Sequence, residues 1–345
     1  MINQEYQNQE PRKTNPKKKW IILILIIVIL SLPLFYMFKT GFALSKIIDI
    51  KNISWESIFG EEHPSEEYTP LKQENRMNFL LLGIRGEGDP NGGLLSDGIM
   101  IISYKKDTQE VAVFSIPRDL YLQMPGEIKY EKINAAYAIG LEKYDNGLNY
   151  AKKTIAYVSG LHLDYAAIVD FEAFKDIIDL LGGITIHLDE PFEESQQWLC
   201  DEQGQNCEVF RLEAGTHTLN GEIALLYARS RFSSNDFDRA RRQQQVLLAL
   251  KDKITKLNIL KDPVKISGII DVLSDNIRTD VSPWEIPDLL EIAKNANIQN
   301  IQTRVFRNSE SGTLYETTIN GRYVLLPKAG DFTQIRNICQ NIFEK

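Results

Sequence analysis

Residues 79–116 read FLLLGIRGEGDPNGGLLSDGIMIISYKKDTQEVAVFSI. Three short apolar runs, 79–84, 99–104 and 111–116, are bounded by glycine, proline, asparagine and charged residues, which predicts three buried strands. Downstream, 132–139 and 148–158 predict helices and 165–171 a strand. Residues 172–181 predict a helix with apolar residues at 174, 177, 178 and 181, and 184–188 a further strand. Gly182 and Gly183 stop that helix, because glycine enters the left-handed cap conformation without strain. Residues 190–212 form an excursion, 221–228 a short helix and 236–257 a long one. Strands mixed with helices throughout predict an α/β fold: a central mixed β-sheet flanked by helices on both faces, a three-layer sandwich. Beyond residue 283 the pattern is helix, strand, strand, helix, either the edge of that sheet or a small appended lobe.

At the start of the chain, residues 20–38 (WIILILIIVILSLPLFYMF) carry no charge. At about 1.5 Å per residue they span roughly 28 Å, the thickness of a bilayer's hydrocarbon core. Lys17, Lys18 and Lys19 abut the run, and such charges stay cytoplasmic. The expected organisation is a cytoplasmic tail (1–19), one transmembrane helix (20–38) and an extracytoplasmic connector (39–75). A catalytic domain (76–257) and a segment completing or appended to it (258–345) follow. The localisation is then the plasma membrane, single-pass, with the C-terminal domain outside. A cleaved signal peptide is the competing reading, with Ala43 and Ser45 as a cleavage hint, but the apolar run is long for one.

The net charge of −8 divides unevenly: residues 1–39 carry +4 and the remainder −12. An acidic body lacks the broad basic face of a general nucleic-acid binder. The residues before the span are also too few for a DNA-binding domain. Cys200 and Cys207 flank a polar loop tip, and either a disulfide or two free thiols fits them. With no C-x-x-C pair and four scattered histidines, a zinc site is not supported.

The chemistry concentrates in 227–245, YARSRFSSNDFDRARRQQQ. Arg229 and Arg231, two apart on chain expected to be extended, point the same way. Asp236 stands at a helix start, and Arg239, Arg242, Gln243 and Val246 follow at helical spacing on one face. The two arginine pairs converge on that reading. Guanidinium groups stay charged and grip phosphate oxygens in bidentate fashion. A solvated helix start with local Asp–Arg pairs is the bland alternative. Arg118, in Ser115–Asp119 (SIPRD), follows a buried strand at the sheet edge where α/β proteins place ligands. The glycines of 83–93 allow close backbone approach to a phosphate, and Asp97 at the mouth of the next strand suits a magnesium ion.

Together these segments resemble the LytR-CpsA-Psr family of cell-wall phosphotransferases over residues 78–250. The landmarks are strand–Gly–loop–SD (79–97), SIPRDLY (115–121), KINAAYAIG (132–140), VDFEAFKDIIDLLGGI (169–184), LNGEIALLYARSR (219–231) and DFDRARRQQQ (236–245). The resemblance implies a membrane-anchored phosphotransferase. It would move a phosphoglycosyl polymer from a polyprenyl pyrophosphate carrier to a peptidoglycan sugar hydroxyl, with Mg2+ as cofactor. Its partners are the lipid-linked glycan, peptidoglycan and the membrane, not nucleic acid. By matching positions, Arg118, Arg229, Arg231, Arg239 and Gln243 would hold the pyrophosphate, with Arg242 and Arg85 also expected there. Asp97 would be the metal carboxylate or the base, acting with Arg118, Arg229 and Arg231. The isoprenoid tail would need an apolar groove beneath the sheet.

Two departures stand out from the family pattern. Leu95 replaces an arginine common before Ser-Asp, and Arg85 replaces an aspartate common after the first loop glycine. The metal site is therefore expected to rest on Asp97 with help from Asp89 or Asp119, and Arg85 to supply the positive charge that Leu95 lacks. A lipid-pyrophosphate hydrolase and a non-catalytic scaffold that binds lipid-linked glycan remain alternatives.

Overall fold

The computed structural model describes residues 70–90, 93–200, 207–230, 236–257 and 277–344. The expected span 20–38, the tail before it and most of the connector lie outside those residues. Among the described residues no helix is long and apolar enough to cross a membrane.

The opening apolar runs form β1 (Arg76–Gly83), β2 (Gly98–Lys105) and β3 (Glu110–Ser115), an antiparallel meander with Leu80 opposite Ile101 and Ile101 opposite Phe114. A small ribbon follows, β4 (Tyr121–Gln123) with β5 (Tyr130–Lys132). The ribbon delays the next helix: α1 runs Ala136–Tyr144 rather than starting at 132. Backbone bonds hold the intervening residues, Ser96 N donating to Asn134 O (2.9 Å) and Ile133 N to Leu120 O (2.7 Å). Next come α2 (Gly147–Ser159) and β6 (Tyr165–Val169), the latter parallel to β1. Helix α3 (Phe171–Leu180) starts directly after β6 because Asp170 caps it, Ala173 N donating to Asp170 Oδ1 at 2.8 Å. It ends on Gly182 and Gly183, both left-handed (φ 71° and 81°). A side chain at Gly183 would place its Cβ 2.8 Å from Leu219 O.

Strand β7 (Ile184–Leu188) leaves the main sheet. The excursion after it is a hairpin, β8 (Phe192–Leu199) and β9 (Glu208–Leu212), and β10 (Gly215–Leu219) returns to pair with β7. A Cys200–Cys207 disulfide closes the hairpin, which settles the state of those cysteines. Helices α4 (Gly221–Arg229) and α5 (Asp236–Lys256) follow. The last part holds β11 (Ile277–Thr279), α6 (Ile286–Asn295), β12 (Asn297–Val305), β13 (Leu314–Ile319), β14 (Arg322–Pro327) and α7 (Thr333–Gln340). The main sheet runs β11-β6-β1-β2-β3-β12. The C-terminal segment therefore supplies both edge strands of this sheet.

Alternation along the strands gives the sheet two apolar faces. On one, Leu80, Leu82, Ile101, Phe114 and Ile168 pack with Ile155 and Val158 of α2 and Ile335 and Cys339 of α7. Each such burial contributes about 1.5–3 kcal/mol. On the other face, Phe79, Leu81, Ile102 and Val113 look across a cavity of about 470 Å³ toward Leu247 and Leu248 of α5 and Leu289 and Ile292 of α6. Helices cover both faces, so the three layers expected from the sequence are present.

Arg76 locks α7 to the sheet. It is 6% exposed. Its guanidinium donates to Ser103 Oγ (2.5 Å) and to the carbonyls of Cys339 (2.9 Å) and Gln340 (3.1 Å) at the helix C-terminus. A cation there satisfies carbonyls that the helix itself leaves without donors. Burial lowers its pKa to about 10, still far above neutrality. Arg76→Ala should lower unfolding free energy by about 3 kcal/mol, because buried acceptors lose a charged donor. Urea denaturation measures this, and an unchanged midpoint would show that Arg76 does not hold α7.

Candidate active site

The site forms where β1 and β6, running parallel, end together beside the start of β2 and the loop after β3. Asp97 precedes β2, its backbone N donating to Gly83 O at 2.8 Å. Arg118, from the loop after β3, donates through Nη1 to Asp97 Oδ1. Arg85, from the loop after β1, brings Nε within 3.3 Å of Asp97 Oδ2. Arg239, on the first turns of α5, reaches the backbone carbonyl of Asp97 at 3.4 Å. Burial alone would raise the Asp97 pKa, but Arg118, Arg239 and Arg85 together outweigh it and hold the carboxyl below the usual range. Asp97 is thus an ionised hub rather than a strong proton acceptor.

These residues line one end of a cavity of about 400 Å³, together with Arg229 and Gln243. Arg229, the last residue of α4, stacks on the Phe171 ring at 5.3 Å, which fixes its direction. Gln243 lies one helical turn beyond Arg239 and packs close to Gly98, where an added Cβ would stand 3.3 Å from Gln243 Oε1. Away from this polar end the walls are apolar, with Met100, Val169, Phe174, Val246 and Leu250 among them. Leu81 and Leu247 line both this cavity and the 470 Å³ one, so a single apolar trough leads from the arginines beneath the sheet. Among the described residues, Arg85, Arg118, Arg229 and Arg239 face Asp97 and Asp170 across the lining, an excess of two positive charges.

A LytR_cpsA_psr family model matches residues 48–341. The chain belongs to the LytR-CpsA-Psr family. The polyisoprenyl-teichoic acid–peptidoglycan teichoic acid transferase TagT of Bacillus subtilis is 26% identical over 323 residues, covering 90% of this chain and 93% of TagT. The crystal structure of B. subtilis TagV superposes with a TM-score of 0.60 at 27% identity, over 78% of this chain and 97% of that one. The LytR-CPS2A-psr family protein YwtF (TagT) with bound octaprenyl pyrophosphate lipid shares the fold, with a TM-score of 0.55 at 22% identity over 81% and 98% of the two chains.

Within this family fold, several expectations from the sequence need correction. Arg242 does not face the cavity. Successive helical residues turn by about 100°, so Arg242 falls roughly 60° to one side of Arg239 while Gln243 falls roughly 40° to the other. Its guanidinium donates to Tyr227 O (3.1 Å) and Ser230 O and lies over the Phe192 ring (5.0 Å), joining α4, α5 and β8. Arg229 ends a helix instead of lying on extended chain, and Arg231 lies outside the described residues. Asp119 turns away to Lys132 Nζ (2.5 Å), and Asp89 sits 3.9 Å from Arg85 Nη1 outside the arginine-lined cavity. Of the three carboxylates expected to hold magnesium, Asp97 alone lines that cavity. Among the described residues no group of three or more His, Cys, Asp or Glu side chains converges on a metal position. The glycine loop folds on itself: Gly86 N, Asp89 N and Gly93 N donate to Gly93 O, Gly86 O and Asp89 O. Those amides are therefore not aimed at a phosphate.

Sequence reasoning missed Asp170, Phe171, Gln196 and Gln197, all of which line the cavity. Asp170 and Phe171 lay inside a recognised landmark but read only as strand end and helix start. The two glutamines come from the β8 excursion, which carried no signal.

The Asp97 shift has a pH signature. A carboxyl whose folded pKa is depressed contributes stability above its unfolded pKa, about 3.9, and loses it as pH falls through the folded value. The stability difference between the wild type and Asp97→Asn should therefore be constant from pH 7 to 5 and shrink below about pH 4. Urea midpoints across that range check this. A difference that stays constant to pH 2 would show that the carboxylate is not held by the arginines.

Proposed function

We propose that this protein is a phosphotransferase that grips a polyprenyl pyrophosphate-linked glycan and transfers its phosphoglycosyl group to a peptidoglycan sugar hydroxyl. The observation that carries the reading is the cavity itself, with four arginines at one end and an apolar trough continuing from it. A diphosphate bearing an isoprenoid chain needs both: bidentate guanidinium donors for its oxygens and a dry channel for its tail. The excess of two positive charges suits a doubly charged diphosphate. The transferase name of TagT and the octaprenyl pyrophosphate bound to YwtF support the same reading.

In the proposed reaction the acceptor oxygen forms a bond to the glycan-side phosphorus. The bond from that phosphorus to the bridging oxygen breaks, and its electron pair leaves with polyprenyl phosphate, which takes up the proton given up by the acceptor hydroxyl. Arg118, Arg229 and Arg239 neutralise charge that builds on the transferred group and the leaving phosphate, which is the main work of phosphoryl-transfer catalysts. Arg85 adds a further cation beside Asp97. Gln243 contributes a neutral donor. Asp97 is the side chain that would hold a magnesium ion, with the other ligands coming from phosphate oxygens and water; such an ion would add to the charge neutralisation. We further infer that residues 20–38 anchor the chain with its domain outside the cytoplasm. The Cys200–Cys207 disulfide supports this, since such bonds persist in oxidising compartments.

Arg229→Ala and Arg239→Ala should each lower kcat about 100-fold, the usual cost of removing one charge-stabilising donor. The assay is joining of a lipid-linked glycan to peptidoglycan by the full-length protein. Wild-type rates in both variants would remove the proposed grip, and release of polyprenyl phosphate without joined product would identify a hydrolase.

A further inference from the structure

A second cavity of about 370 Å³ meets the first at the end of the sheet and lies outside the grip described above. Among the described residues, Arg85 and Asp170 alone line both cavities. They are lined in part from opposite faces of the sheet, although Leu82, the partner of Ile168, also lines the arginine cavity. Val169 lines the arginine cavity, whereas Ile168, the residue before it on β6, lines the second one with Ile84. Neighbouring residues on a strand point to opposite sides. The second cavity therefore belongs to the face carrying α1, from which Tyr137 and Leu141 close it.

We propose that this second cavity is the binding site for the acceptor sugar, and that Asp170 accepts a hydrogen bond from its attacking hydroxyl. The inference rests on the transferase reading. Displacement at phosphorus brings the nucleophile in line with the leaving group and on its far side. With the isoprenoid trough leading away from the arginines on one side, the acceptor must come from another, and the 370 Å³ cavity, which meets the arginine cavity at Arg85 and Asp170, is an opening there. Its volume lies within the range typical of small-ligand sites.

The chemistry of the lining also separates the two substrates. Glu87 and Glu172 stand at the cavity with Asp89 and Asp170, against the cations Arg85 and Arg278. This balance opposes the phosphate-bearing donor and offers acceptors for hydroxyl and amide N–H groups, which an N-acetylated sugar carries. Tyr137 adds a ring face for the sugar's apolar surface. Asp170 is held in place by its cap on α3, where Oδ1 receives Ala173 N, while Oδ2 turns toward Gly86 in the loop between the cavities. The Gly86 backbone is at φ 125°. That conformation strains other residues and brings the loop against Asp170.

The test uses full-length protein, a polyprenyl pyrophosphate-linked glycan as donor, octaprenyl pyrophosphate as the probe of donor-site binding and a soluble peptidoglycan glycan oligomer as acceptor. Glu87→Arg/Glu172→Arg changes exposed side chains at the second cavity and none at the arginine grip. The expected result is an acceptor KM raised about tenfold, equivalent to about 1.4 kcal/mol, with octaprenyl pyrophosphate affinity unchanged. An unchanged acceptor KM, or octaprenyl pyrophosphate binding weakened to the same degree, would overturn the assignment. Failure of the unaltered protein to join donor to acceptor while it still binds octaprenyl pyrophosphate would overturn the transferase reading and the acceptor site with it. That failure shows before any substitution is made, so the two cases are distinct.

Discussion

The site depends on the repulsion between guanidinium groups that the fold forces together, and on Asp97, the carboxylate that binds them most directly. Two unit charges 5 Å apart in a partly buried setting interact by about 3 kcal/mol. Asp97 offsets part of this by holding Arg118 and Arg85 directly and Arg239 through its backbone. It cannot offset all of it, so the described lining of this end of the trough keeps a positive excess. The same contacts keep the Asp97 pKa low, so its role is to position cations, or a metal, more than to move protons.

The rest of the architecture serves that cluster. Strands β1 and β6 run parallel and end side by side, so Arg85 and Asp170 emerge next to one another although they are far apart in sequence. Helix α5 lays Arg239 and Gln243 over the polar end, and Val246, Leu247 and Leu250 over the apolar trough, from a single stripe. One helix thus lines both the polar and the apolar end of the cavity. Arg242, a fraction of a turn away, fastens that helix to α4 and β8 instead. Arginines separated by three residues can therefore have unrelated functions.

Much of this was legible in the sequence. The apolar runs of β1, β2 and β3 and the stops at Gly182 and Gly183 are local signals, and the structure follows them. That Arg118, Arg229 and Arg239 line one cavity with Asp97 follows the matching of motif positions. What sequence could not supply depends on pairing and rotation. Membership of β11 and β12 in the sheet rests on contacts with β6 and β3 from the other end of the chain. The diversion of β7 into a separate ribbon and the β5 turn that delays α1 are likewise tertiary outcomes. Arg242 was misplaced because helical spacing defines a broad face while the cavity accepts a narrow stripe. Asp170 was overlooked because it fell in the run read as a strand, so neither its cap on α3 nor its place at the cavity was visible.

The most direct measurement is a crystal structure of the protein grown with octaprenyl pyrophosphate. The account requires both phosphates to lie among Arg118, Arg229 and Arg239, with the isoprenoid chain running past Leu81 and Leu247 into the cavity beneath α5 and α6. A diphosphate bound on any other surface, or a chain lying outside that trough, would contradict it.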